Sequence, residues 1–122
     1  MIFGLFSANV LGASTLEEMQ QKAEAGDPVA QYELAIAYDA GTQVKQDIKE
    51  AAKWYAKAAE QGHAGAQNAM GSLSQSGAGV PQDDKAAFEW YKKSADQGSA
   101  EALTNLAYMY DLGLGVEKDD KM

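Results

Sequence analysis

Few residues of this chain have the type and spacing that chemistry requires. His63 is the sole histidine and there is no cysteine, so disulfides, thiolate nucleophiles and thiolate metal sites are excluded, and no second imidazole exists to share a metal. A catalytic site needs a nucleophile or a tuned acid and base in a shielded place. His63 stands where Asp27 and Ser99 stand thirty-six residues to either side, which marks it as a helix-capping residue rather than a base. Gly77-Ala-Gly79 and Gly113-Leu-Gly115 look like phosphate-cradling loops, but neither is followed by the lysine and hydroxyl that hold a phosphate, so they read as turns. Asp83-Asp84 and Asp119-Asp120 supply too few oxygens for a hard cation and suit the positive end of a helix dipole. Trp54-Tyr55 and Trp90-Tyr91 read as packing between helices rather than an aromatic cage. No catalytic residue, cofactor or metal is expected.

These residues fall into a register. The offset of thirty-six relates Trp54 to Trp90, and also Gly26, Gly62 and Gly98; Leu34, Met70 and Leu106; Gly41, Gly77 and Gly113; Val44, Val80 and Val116; Asp47, Asp83 and Asp119. So many positions in phase mark a tandem repeat. Within one period the apolar spacing is helical twice, as Ala30, Leu34, Ala37 and Tyr38 show for one segment and Ile48, Ala51, Ala52, Tyr55, Ala58 and Ala59 for the next. The pattern predicts helices near 15–25, 28–40, 47–61, 64–76, 83–97 and 100–112. Asp27 before Pro28, and Ser99, are N-cap signals; Asp47 with Glu50 and Ser14 with Glu17 resemble capping boxes. The predicted fold is all-α, a right-handed α-solenoid of antiparallel helix pairs.

Ala66-Gln-Asn-Ala-Met-Gly, then Gly77-Ala-Gly-Val, then Asp83 through Trp90-Tyr91 to Ala95-Asp-Gln-Gly98, resemble the Sel1-like repeat, a relative of the tetratricopeptide repeat with a slightly longer period. The resemblance runs from about residue 14 to residue 122. It implies a protein-binding scaffold or adaptor, with envelope or host-interaction roles in some bacterial members. Two departures stand out: Thr42-Gln43 replace the second glycine of the loop in the first repeat, and Ser74 stands where Tyr38 and Tyr110 stand, so a looser middle layer is expected. A link of cysteine-rich relatives to β-lactam binding suggests a hydrolase, which the lack of cysteine here argues against.

The solenoid divides into a leading half-unit at 14–26, repeats at 27–62 and 63–98, and an incomplete repeat at 99–122. Its last helix, with Leu103, Leu106, Ala107 and Tyr110, is expected to leave an apolar face uncovered, which opens self-association or a layer of a longer solenoid as a second reading. Residues 1–13 are uncharged and mostly apolar or small. They match the apolar region of a secretory signal without its basic opening, giving a periplasmic or secreted location as the expectation and the cytoplasm as the alternative.

In stacked pairs of this kind the first helices line the concave face. The residues expected to point outward there are Tyr32, Ile36 and Asp39; one period on, Asn68, Ser72 and Gln75; then Thr104, Tyr108 and Asp111. Tyrosine supplies rigid contact area, amides bond a peptide backbone, and the two aspartates favour a basic partner. The chain has ten lysines, no arginine, eighteen carboxylates and a net charge of −8. That balance argues against nucleic acid and against anionic membranes.

Overall fold

Helix starts in this chain are fixed by side chains that accept the orphan N–H groups of a first turn, and the computed structural model, which describes residues 15–116, shows them in place. Asp27 accepts from Val29 at 2.9 Å with Pro28 following it. His63 accepts the Ala66 N–H on Nδ1 at 3.1 Å, and Ser99 accepts the Ala102 N–H at 3.2 Å. Asp47 and Asp83 cap the helices after them at 3.1 and 3.0 Å. The resulting helices are α1 (Leu16–Glu24), α2 (Pro28–Ala40), α3 (Ile48–Glu60), α4 (Ala64–Ser76), α5 (Asp84–Asp96) and α6 (Ala100–Leu112). Gly26, Gly62 and Gly98, at φ of 103°, 94° and 93°, stop the odd-numbered helices.

Two of the expected capping boxes differ. Ser14 lies outside the described residues; the box is made one residue on, where Thr15 and Glu18 exchange two bonds of 3.0 Å. The Thr15 N–H first, then the Thr15 hydroxyl, which donates to the same Oε1 at 3.1 Å, hold the Glu18 carboxyl below the usual carboxylate range. Asp47 caps α3 from one side only, because the Glu50 carboxylate turns to Lys53 Nζ, 3.5 Å away.

Each helix packs on the one before and the one after it in sequence, the mark of a solenoid in which every layer covers the last. Alanine sets the spacing: Ala51, Ala58, Ala66, Ala87 and Ala102 are fully buried where helices meet. Leu34, Tyr55, Met70, Tyr91 and Met109 fill the volume between them. Trp54 is 9 % exposed and Trp90 packs partly buried on the same core, so the tryptophans are packing residues.

The middle layer is not loose. Ser74 is buried, and at Gly71, where the neighbouring units have Ala35 and Ala107, an added Cβ would lie 2.5 Å from the Tyr91 ring. The Tyr91 ring therefore settles against bare backbone.

The glycine loops are turns, as their recurrence predicts, and they also stack. A Cβ on Gly79, at φ 75°, would lie 2.7 Å from the Ile48 carbonyl oxygen of the preceding unit. In the first unit Gln43 takes the same left-handed conformation, at φ 65°, with an exposed side chain.

Candidate functional site

The first helix of each unit, α2, α4 and α6, has one exposed row spaced three and four residues apart: Val29, Glu33, Ile36 and Ala40 on α2, with Ile36, Ser72 and Tyr108 in register across the three helices. Val29 is 53 %, Ile36 40 %, Tyr108 55 % and Leu112 50 % exposed. Neighbouring first helices touch beside this row. The Tyr32 ring stacks on His63 at 4.4 Å and stands against Gly65, and Asn105 Nδ2 donates to Asn68 Oδ1 at 3.0 Å.

The nine residues expected to face outward divide into two groups. Ile36, Ser72, Thr104, Tyr108 and Asp111 are exposed. Tyr32, Asp39, Asn68 and Gln75 are half-buried and engaged within the chain. Asp39 accepts the Tyr55 hydroxyl at 3.1 Å, and Gln75 Oε1 accepts the Tyr91 hydroxyl at 2.9 Å, each tying a first helix to its own second helix. Burial first, then the Asp39 charge, pushes the Tyr55 phenol well above its ordinary range; burial pushes Tyr91 the same way. Thr104 is exposed but turns its hydroxyl back to the Ala100 carbonyl at 3.1 Å.

The exposed row lies about one-fifth of a turn from the expected one. It holds Val29, Glu33 and Leu112 in place of Tyr32 and Asp39, because the core takes in Gln31 beside Leu34, Ala35 and Tyr38. Gln31 is 4 % exposed and Gln67 5 %. Each donates to a carbonyl of the preceding helix, Ala23 or Ala59, and accepts from the glutamine that ends its own unit, Gln61 or Gln97, at 2.9 Å. Buried glutamine at the same phase in two units was the available signal.

The charge of this face is one-sided. The helices α2, α4 and α6 contain no lysine; the acidic residues on them are Glu33, Asp39, Glu101 and Asp111. Among the described residues the lysines lie on α1, α3, α5 and the loop at Lys45, and Lys53 and Lys57 hold their Nζ atoms 5.6 and 5.7 Å from the Trp54 ring centre. A surface with exposed apolar side chains and carboxylates only is built for contact, not proton transfer. His63 spends its Nδ1 on the α4 cap. Among the described residues no three His, Asp or Glu side chains are grouped to hold a metal ion, and no helix is long and apolar enough to cross a membrane.

The chain matches the family model described as Sel1 repeat three times, over residues 28–63, 64–99 and 100–122. Its similarity to a Sel1 repeat protein from Oxalobacter formigenes is 36 % in sequence with a TM-score of 0.84, over 97 % of this chain and 51 % of that one. A protective antigen of uropathogenic Escherichia coli with an SLR fold is 39 % identical, TM-score 0.86, over 98 % of this chain and 27 % of that one. The secretory immunoglobulin A-binding protein EsiB of Escherichia coli O6:H1 is 42 % identical over 57 residues, which are 47 % of this chain and 12 % of that protein. The chain thus spans a small part of that relative and about half or less of the first two structures.

Proposed function

The chain belongs to the Sel1 repeat family, and from that premise we propose that it binds a basic segment of a partner protein on the exposed face of α2, α4 and α6, without cofactor or turnover. Repeats of this family are generally protein–protein interaction modules and generally non-catalytic. The carrying observation is the joint placement of Val29, Ile36 and Tyr108 in one exposed row on helices that hold carboxylates and no lysine. Apolar anchors supply contact area, and the one-signed charge selects partners with lysine or arginine. An arrayed set of peptides of graded net charge tests this. Basic peptides should be retained, and Ile36→Ala with Tyr108→Ala should weaken them by about 1–2 kcal/mol per anchor at unchanged helicity. Affinity untouched by both substitutions overturns the reading.

A second reading, a layer that stacks on further helices, is favoured by Leu103, 52 % exposed on α6 at the phase where Gln31 and Gln67 are buried, with Ala107 exposed one turn on. Light scattering decides it: a mass that rises with concentration supports stacking between copies, and a monomer throughout opposes it. We also propose a periplasmic or secreted location, on the apolar residues 1–13 and on similarity to a protein named for binding secretory immunoglobulin A and to one described as a protective antigen. Fractionation of the native cell is the check; product confined to the cytoplasm with Met1 retained overturns it.

A further inference from the structure

We propose that this face, if it is the partner surface argued above, reads two basic side chains a fixed distance apart in an extended segment, with uncharged residues between them. The three first helices differ in charge. On α2, Glu33 lies in the exposed row; on α6, Glu101 does; α4 between them, Ala64-Gly-Ala-Gln-Asn-Ala-Met-Gly-Ser-Leu-Ser-Gln-Ser76, has no ionisable side chain. A cation crossing α4 therefore finds no counter-ion, and losing its water there is uncompensated; at either side it finds a carboxylate.

The separation follows from the packing. Tyr32 of α2 stands against Gly65 of α4, and Asn68 of α4 is bonded to Asn105 of α6 at 3.0 Å, so both pairs are direct neighbours. Packed helix axes lie about 8–10 Å apart, and these pairs, which meet through side chains rather than close backbone, take the upper end, which puts α2 and α6 roughly 20 Å from one another. An extended chain rises about 3.3 Å per residue, so roughly five or six residues carry it from Glu33 to Glu101. The floor of that path is small at Ala69, which holds the place of Glu33, while Gly65 lies under the Tyr32 ring, so a backbone comes close to α4 at Ala69 while its apolar side chains reach Ile36 or Tyr108. A helical segment rises only about 1.5 Å per residue and needs roughly eleven to thirteen residues for the same span.

Fluorescein-labelled peptides with one lysine at each end of a Ser/Leu spacer, titrated at low salt, test the spacing. Spacers of roughly two, five, eight and eleven residues keep net charge constant while changing reach. The five-residue spacer should bind about two- to five-fold more tightly than the others, the scale of one additional exposed ion pair. In Glu33→Gln or Glu101→Gln that advantage should vanish, and Glu→Asp should restore part of it; both glutamates are exposed, and circular dichroism verifies that helicity is kept. Equal binding at every spacer length, or an optimum at eleven, overturns two-point reading in an extended segment and leaves the partner face standing. If no peptide binds, both fall.

Discussion

The inner two units and the last helix use the same register with opposite results. In the inner units Tyr55 bonds Asp39 and Tyr91 bonds Gln75, while Gln61 and Gln97 each bridge a buried glutamine and the carbonyl of Gly26 or Gly62 at 2.8 Å. Every polar group on the flank of α2 and α4 is thereby matched. On α6 the corresponding positions are Asp111 and Leu103, both exposed, the leucine at 52 %. A first helix thus has two outward aspects, a flank answered by its own second helix and a row left for a partner; only where the flank is closed does the sequence need glutamine. Leucine at 103 cannot join the glutamine ladder whatever lies against it.

The sharpest test is substitution of leucine in the two regions. Leu34, 1 % exposed, should cost about 3 kcal/mol as Leu34→Ala through lost burial and the cavity left behind. Leu103→Ala should stay within about 0.5 kcal/mol, as exposed substitutions do. Urea melts compare the two, and a large loss at Leu103 would show that the α6 flank is covered in solution. Next in size is the ladder. Gln67→Leu removes two hydrogen bonds, the one it donates to the Ala59 carbonyl and the one it accepts from Gln97, and should cost about 1–3 kcal/mol, whereas Leu103→Gln should be close to neutral. Similar values for both would mean the buried glutamines are no more than spacers.

The fold was legible because its signals are local and repeated: thirty-six-residue phase, caps at Asp27, His63 and Ser99, stops at Gly26, Gly62 and Gly98. The candidate face was legible only in part. Ile36, Ser72 and Tyr108 follow from helical phase, but Asp39 and Gln75 are drawn inward by tyrosines sixteen residues on, a tertiary pairing that periodicity within one helix does not encode. The burial of Gln31 and Gln67 is not encoded in helical phase for the same reason; burial of an amide depends on partners that arrive from other helices. The close seat of the Tyr91 ring depends on Gly71, a residue with no side chain whose pattern could be read.

A smaller effect, about 1–2 kcal/mol, separates the two tyrosine bonds from the open Asp111. Tyr55→Phe removes the donor to Asp39 and should cost that much at neutral pH. Its pH dependence has a definite sign. The folded state holds the Tyr55 proton more tightly than the unfolded chain does. The stabilisation is therefore complete below the ordinary phenol value of about 10 and lost as pH rises above it. Thermal melts from neutral to strongly alkaline pH should fall more steeply for the native chain than for Tyr55→Phe. Parallel profiles would remove the linkage.

The smallest expected change is a gain, and it tests whether the first loop differs from those above it for a steric reason. Gln43 holds φ at 65° where Gly79 and Gly115 hold 75° and 70°. A left-handed residue other than glycine carries a penalty of about 1–2 kcal/mol, and glycine gives back part of the advantage through the entropy of the unfolded chain. Gln43→Gly should therefore raise stability by about 0.5–1 kcal/mol. The reverse exchange is barred above it, since a side chain on Gly79 meets the Ile48 carbonyl of the unit below. A denaturant midpoint that drops for Gln43→Gly would mean that the exposed glutamine makes contacts worth more than its backbone strain, and the stacked glycines would then owe their identity to the neighbouring backbone rather than to φ.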